Sequence, residues 1–155
     1  MTDLFTIATA LKAGEWVVKD FLGPTAKDFC QDYLKDSVTA GLAKNAPEPL
    51  QKAIAQSAKS FLTVFQQELE NGGLPGELID HEFKQPLKRL LADSEVRQRL
   101  GQALDFEVES LDWAFFQDKW VAVGNKPLRS NFRWPEVISN YVSRAKGLIE
   151  YDETL

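Results

Sequence analysis

The stretch PLRSNFRWPEVISNYVSRAKGLIEYDETL, residues 127–155, carries the plainest helix signature in the chain. Pro135 has its φ held near the helical value and no amide hydrogen to lose, which suits a first turn. Glu136 adds negative charge at the positive end of the helix dipole. Trp134, Val137, Ile138, Tyr141, Ala145, Leu148 and Ile149 recur at spacings of three and four, so they share one face of a helix over about 134–151. Phe132 and Trp134 stand at its start, where two large rings plug the entry against whatever the helix covers. Trp134 also precedes proline, which biases its backbone toward an extended approach.

Upstream, the same periodicity repeats between strong breaks. Leu4, Ile7, Ala8, Leu11, Val18 and Leu22 form a stripe over about 3–22, widened by Phe5, Trp16, Val17 and Phe21. Glu15 falls near its centre, one turn before Lys19, a spacing at which the two pair. Gly23-Pro24 ends this segment. Ala26, Phe29, Cys30, Tyr33, Leu34, Val38 and Leu42 keep helical spacing to about residue 44. After a proline-bearing break, Leu50, Ile54, Ala58, Phe61, Phe65 and Leu69 mark a third helix over about 49–70. Three long segments with short links favour antiparallel neighbours in a bundle.

Asn71-Gly72-Gly73-Leu74-Pro75-Gly76 is the strongest break, read as a loop within one domain. Shorter elements follow. Leu78 and Ile79 begin one piece; Phe83, Leu87, Leu90 and Leu91 form another, with Pro86 in its first turn. Asp93-Ser94-Glu95 reads as a capped start leading to Val96, Leu100, Ala103 and Leu104. A helix is expected from about Val108 to Val121, ended by Gly124-Asn125-Lys126-Pro127. The fold expected is all-α: a single-domain bundle of about seven helices, three long N-terminal ones, shorter middle ones and a long C-terminal one.

The totals agree with one globular domain over residues 1–155. The chain is 44% hydrophobic and 26% charged, which is too apolar for disorder. Its net charge of -5 argues against a general nucleic-acid binder, whose footprint is a basic patch. The single cysteine, Cys30, allows no internal disulfide and suits a reducing cytoplasm. No secretory signal opens the sequence, and no run approaches the ~20 apolar residues of a membrane span.

Chemistry is sparse. His81 is the only histidine, set between Asp80 and Glu82, and reads as a solvated surface residue rather than a triad base. Metal sites built on several His or Cys ligands fail by count. Asp105, Glu107, Glu109 and Asp112 cluster but lack the spacing of a calcium loop, and read as a solvated acidic face. A glycine-rich phosphate loop is missing. No catalytic residue, cofactor or metal is therefore assigned. The remaining feature is aromatic density. Trp113, Phe115, Phe116, Trp120, Phe132 and Trp134 crowd one stretch, and Phe115 and Phe116 cannot both face one core from a helix. The first reading packs these rings under the final helix; the alternative makes Trp113, Phe116 and Trp120 a partner patch.

The second half resembles a known family. Pro86-Leu87-Lys88-Arg89-Leu90-Leu91-Ala92-Asp93-Ser94-Glu95-Val96, then Leu100, Leu111, Trp120 and Leu128, is similar to the helical N-terminal region of bacterial NACHT-type STAND NTPases. There a helix-cap-helix is followed by a phrase matched here by Phe132, Trp134, Val137 and Tyr141. The family has acidic residues around the Phe; this chain has Asn131 and Arg133. The resemblance covers about residues 83–151. It implies a non-catalytic module, excised from a longer protein, that transmits or restrains activation of an adjacent NTPase in antiphage defence. The partners it implies are proteins: that NTPase domain, a second copy, or an effector. Two rivals stand beside it. A membrane-active bundle would release its first helix, though Lys12, Glu15, Lys19 and Asp20 interrupt the apolar run. A small metal-dependent enzyme would use the acidic cluster.

Overall fold

The computed structural model describes residues 32–33, 48–104, 108–126 and 128–151. The expected helices over about 3–22 and 24–44 lie outside these residues, apart from Asp32 and Tyr33, which are helical. Cys30 and the Glu15–Lys19 pair also lie outside them, as do the side chains of His81, Leu148 and Ile149. Among the described residues there are five helices and no strand. We label them α1 (Glu48–Asn71), α2 (Gly76–Ala92), α3 (Ser94–Gln102), α4 (Trp113–Ala122) and α5 (Trp134–Tyr151). The described residues are all-α as expected, and two of the about seven expected helices lie outside them.

One difference lies at Pro86. The sequence suggests two pieces over 78–91, yet α2 runs through Pro86 as one helix. Ile79, Leu87, Leu90 and Leu91 are buried along it, with Phe83 packed against the core. Burial of that continuous stripe outweighs the one backbone bond that Pro86 removes. The second difference is the start of α4. It begins at Trp113 rather than near Val108, because the Asp112 side chain accepts the Ala114 amide and caps the helix there. The Asp93 cap is as expected: its carboxylate accepts the amides of Glu95 and Val96 at 2.9 and 3.1 Å.

Two helices end on left-handed glycines. Gly73 (φ 102°) follows α1 and Gly124 (φ 90°) follows α4. In each case the residue after the glycine donates back five residues, Leu74 to the Leu69 carbonyl and Asn125 to that of Trp120. This satisfies carbonyls that the helix itself cannot.

The core lies between α1 and α5, which run antiparallel. Glu68 near the end of α1 meets Arg133 at the start of α5, while Ser57 earlier in α1 meets Tyr141 further along α5. Ile54, Ala58, Phe61, Leu62 and Phe65 of α1 are buried against Val137, Ile138, Tyr141 and Ala145 of α5. α2 and α3 close one side, and α4 packs on α5.

Candidate protein-contact site

The phrase Phe132, Trp134, Val137 and Tyr141 is wholly inward. All four side chains are buried. Trp134 meets Phe132 at 5.1 Å between ring centroids, Phe65 at 5.7 Å and Trp120 at 6.3 Å. Phe65 is the hub, with Trp120 at 5.3 Å and Phe132 at 4.8 Å. Tilted and edge-on ring pairs of this kind add to the burial of each side chain. The entry to α5 is also held by charge. The buried Glu68 carboxylate accepts the Arg133 backbone amide and its guanidinium at 3.0–3.1 Å. Arg133, which departs from the family's acidic pattern, thus has its counter-charge within the same domain.

Two turns along α5 the contact becomes polar. The hydroxyls of Tyr33, Ser57 and Tyr141 lie within 2.5–2.7 Å of one another. Tyr141 must donate to the Leu100 carbonyl at 2.6 Å, since a carbonyl has no proton to give. The protons of Tyr33 and Ser57 then serve the three contacts within the hydroxyl triangle. Among the described residues, three hydroxyl protons face these four contacts. Burial pushes the Tyr33 hydroxyl up to about 12, against the opposing hydrogen bonds of Ser57 and Tyr141. Burial, with the nearby Tyr33 phenol second, raises Tyr141 well above its ordinary value. Both phenols are therefore neutral at physiological pH.

Tyr33 reaches this position over a glycine. A Cβ at Gly101 would lie 1.5 Å from the Tyr33 carbonyl oxygen. Only a glycine lets the backbone carrying Tyr33 sit on α3. Asp32 beside it pairs with Arg97 at 3.1 Å, and Arg97 also donates to the Leu91 carbonyl at the end of α2. Sequence reading placed Tyr33 in an apolar stripe but gave no sign of the hydroxyl triangle, the Gly101 notch or the Glu68–Arg133 pair. Their members stand 24 to 108 residues apart.

The remaining sequence candidates separate. Phe116 and Trp120 are in the core, at 0% and 2% exposure, and the Trp120 indole donates to the Lys126 carbonyl at 2.7 Å. A surface patch made jointly of Trp113, Phe116 and Trp120 is thus not presented; the inward face of α4 takes two of the three. Trp113 is 41% exposed and Val121 is 52% exposed. Phe115 is half-buried, edge-on to Phe116, with the Arg99 guanidinium 4.6 Å from its ring centroid. Lys119, beside it, joins Asp93 and Glu95 at 3.0 and 3.2 Å. Burial raises the Asp93 carboxyl, but the Lys119 ammonium and two backbone amides outweigh it and hold Asp93 below its usual range.

Two clefts flank α4. One, of about 590 Å³, lies between the 109–113 segment and α5, with Trp113, Leu111, Ile138 and Val142 in its wall. The other, of about 220 Å³, lies at the far end, against Val121, Leu128 and Arg129. Of the acidic cluster, Asp105 and Glu107 lie outside the described residues. Glu109 and Asp112 are exposed, and no group of three metal-binding side chains occurs among the described residues. No described helix is long and apolar enough to cross a membrane.

The buried aromatic phrase, the Asp93 cap and the long closing helix are the features on which the resemblance rests. A family model described as NACHT N-terminal Helical domain 2 matches residues 15–155. The chain belongs to that family. No curated protein and no solved structure matches it. The match extends well upstream of residue 83, where the resemblance read from the sequence begins. Among the described residues the exposed large apolar side chains are Leu78, Trp113 and Val121.

Proposed function

We propose that this NACHT N-terminal helical domain is a non-catalytic contact and signalling module, one part of a longer cytoplasmic protein in bacterial antiphage defence. It transmits or restrains activation of the adjacent NTPase. The family match over residues 15–155 carries this reading. The allocation of side chains supports it. The family phrase is spent on packing, so α1 and α5 form a stiff unit able to pass a displacement from one surface to another. Trp113 and Val121 remain outside that unit, where a protein partner can reach them.

The test is made in the longer protein. Trp113→Glu should change trigger-dependent nucleotide hydrolysis several-fold while leaving nucleotide affinity unaltered. Hydrolysis and trigger response that stay the same when the whole helical domain is deleted would overturn the reading.

A further inference from the structure

The turn between α1 and α2 carries a chemical weakness. Asparagine is a labile side chain, and it reacts with its own backbone. The amide nitrogen of the next residue, once it has lost its proton, attacks the side-chain carbonyl carbon. The rate depends on how freely that nitrogen can approach. A following glycine, with no Cβ, obstructs it least. The five asparagines of this chain are followed by Ala46, Gly72, Lys126, Phe132 and Tyr141. Asn71-Gly72 is therefore the reactive pair. Asn71 is the last residue of α1, and it is exposed.

The fold holds the reacting nitrogen back. The Gly72 amide donates to the Glu68 and Leu69 carbonyls at 3.1 and 3.2 Å. The next two amides also turn back on α1, Gly73 to the Glu70 carbonyl at 3.0 Å and Leu74 to that of Leu69 at 3.1 Å. From the other end of the chain, the Asn131 side-chain amide donates to the Gly72 carbonyl at 3.1 Å. A Cβ at Gly72 would lie 3.1 Å from that same Asn131 nitrogen, so the two segments are closely apposed. Arg133 binds Glu68 one turn earlier in α1, and the approach to α5 thus closes over the end of α1. For attack, the Gly72 nitrogen must leave its two carbonyls and Asn71 must leave its helical backbone. A surface turn opens in this way without unfolding the core.

We propose that Asn71-Gly72 is a latent self-modification site, closed by Asn131 and the approach to α5, and reacting when that contact opens. A bond forms between the Gly72 nitrogen and Asn71 Cγ, and the Cγ–Nδ2 bond breaks. Ammonia leaves, carrying the proton given up by the Gly72 amide. Water then opens the cyclic imide at either carbonyl. One product is aspartate. The other is isoaspartate, whose backbone runs through the former side chain and is one carbon longer. Both put a carboxylate at the negative end of the α1 dipole, next to Glu70 in the chain. Isoaspartate also takes the amides of Gly72, Gly73 and Leu74 out of register with the carbonyls they now serve, and so undoes the closing bonds of α1. The reaction is one-way, so its extent records how long this end of the α1–α5 contact has spent open.

Peptide mapping of the full chain during incubation in mildly alkaline buffer tests the proposal, with aspartate and isoaspartate resolved at position 71. In guanidinium, Asn71 should convert before the other four asparagines. In the folded chain it should convert at least about tenfold more slowly, because the free energy of opening the turn sets the factor. Asn131→Ala should speed conversion of the folded chain several-fold and leave the rate in guanidinium unchanged. A chain purified with isoaspartate at position 71 should melt below the parent. Asn71→Asp, with the charge but the ordinary backbone, should fall between them. Equal folded and unfolded rates, a folded rate that Asn131→Ala does not raise, another asparagine converting first in guanidinium, or an isoaspartyl chain as stable as the parent would each overturn the proposal.

Discussion

Where α5 begins, Phe132 and Trp134 meet Phe65 and Trp120 through rings, while two turns later Tyr141 meets Ser57 and Tyr33 through hydroxyls. The same pair of helices is joined at both places. The aromatic end depends on area and volume, which are insensitive to small rotations. The hydroxyl end depends on how protons are distributed, because a buried oxygen left without one loses its water and gains nothing. The first should respond to mutation in proportion to the atoms removed. The second should respond according to which hydroxyl is removed.

The largest effect is expected at the aromatic end. Trp134→Ala leaves a cavity bounded by Phe65, Trp120 and Phe132, and should cost about 3–5 kcal/mol. The midpoint of urea unfolding measures it. A cost under about 1 kcal/mol would mean that the rings re-close over the gap, and that the end is looser than its packing suggests.

An intermediate effect is expected from pH. The folded state holds the Tyr33 phenol neutral to about 12, whereas the unfolded chain ionises it near its ordinary 10.0. The stability it contributes is therefore fully present below pH 10 and is lost as the pH rises toward 12. At about 1.4 kcal/mol per unit, the loss attributable to Tyr33 is roughly 2–3 kcal/mol. Urea midpoints between pH 9 and pH 11, compared with those of a chain carrying both Tyr33→Phe and Tyr141→Phe, isolate the phenols from other titrating groups. Parallel slopes in the two chains would refute the assignment.

The smallest effects sharpen the proton count. Tyr141→Phe removes the donor to the Leu100 carbonyl and the oxygen that both other hydroxyls approach, and should cost about 1–2 kcal/mol. Tyr33→Phe removes one proton and two of the described contacts, leaving the Ser57 and Tyr141 protons for the two described contacts that remain. It should cost less, about 0.5 kcal/mol. Equal costs would show that the protons are not shared as counted.

Much of this molecule was legible in its sequence. The period of three and four placed α1 and α5 within a residue of their ends. Asp93 marked the start of α3, and the final aromatic phrase pointed to the family. These signals are local: a cap acts over three residues and an amphipathic stripe over one helix. Reading failed where a long-range contact overrode a local preference. Pro86 marks a break by itself, but α2 continues because its buried stripe holds it on the core. Trp113, Phe116 and Trp120 are alike in sequence, and only packing divides them into one exposed ring and two buried ones.

By itself the sequence determined an all-α chain, its longest described helices, the caps between them and its family, because each is written in residue types at short spacing. The tertiary structure alone decided that Glu68 meets Arg133, that Gly101 yields to the Tyr33 backbone and that three hydroxyls share one buried site. It also decided that Trp113 and Val121 of α4 are exposed while Phe116 and Trp120 are buried. Partners separated by dozens of residues carry no mark of one another in the chain. They meet because burying the apolar stripes sets the helix positions, and the polar groups carried along must then find partners where those positions bring them.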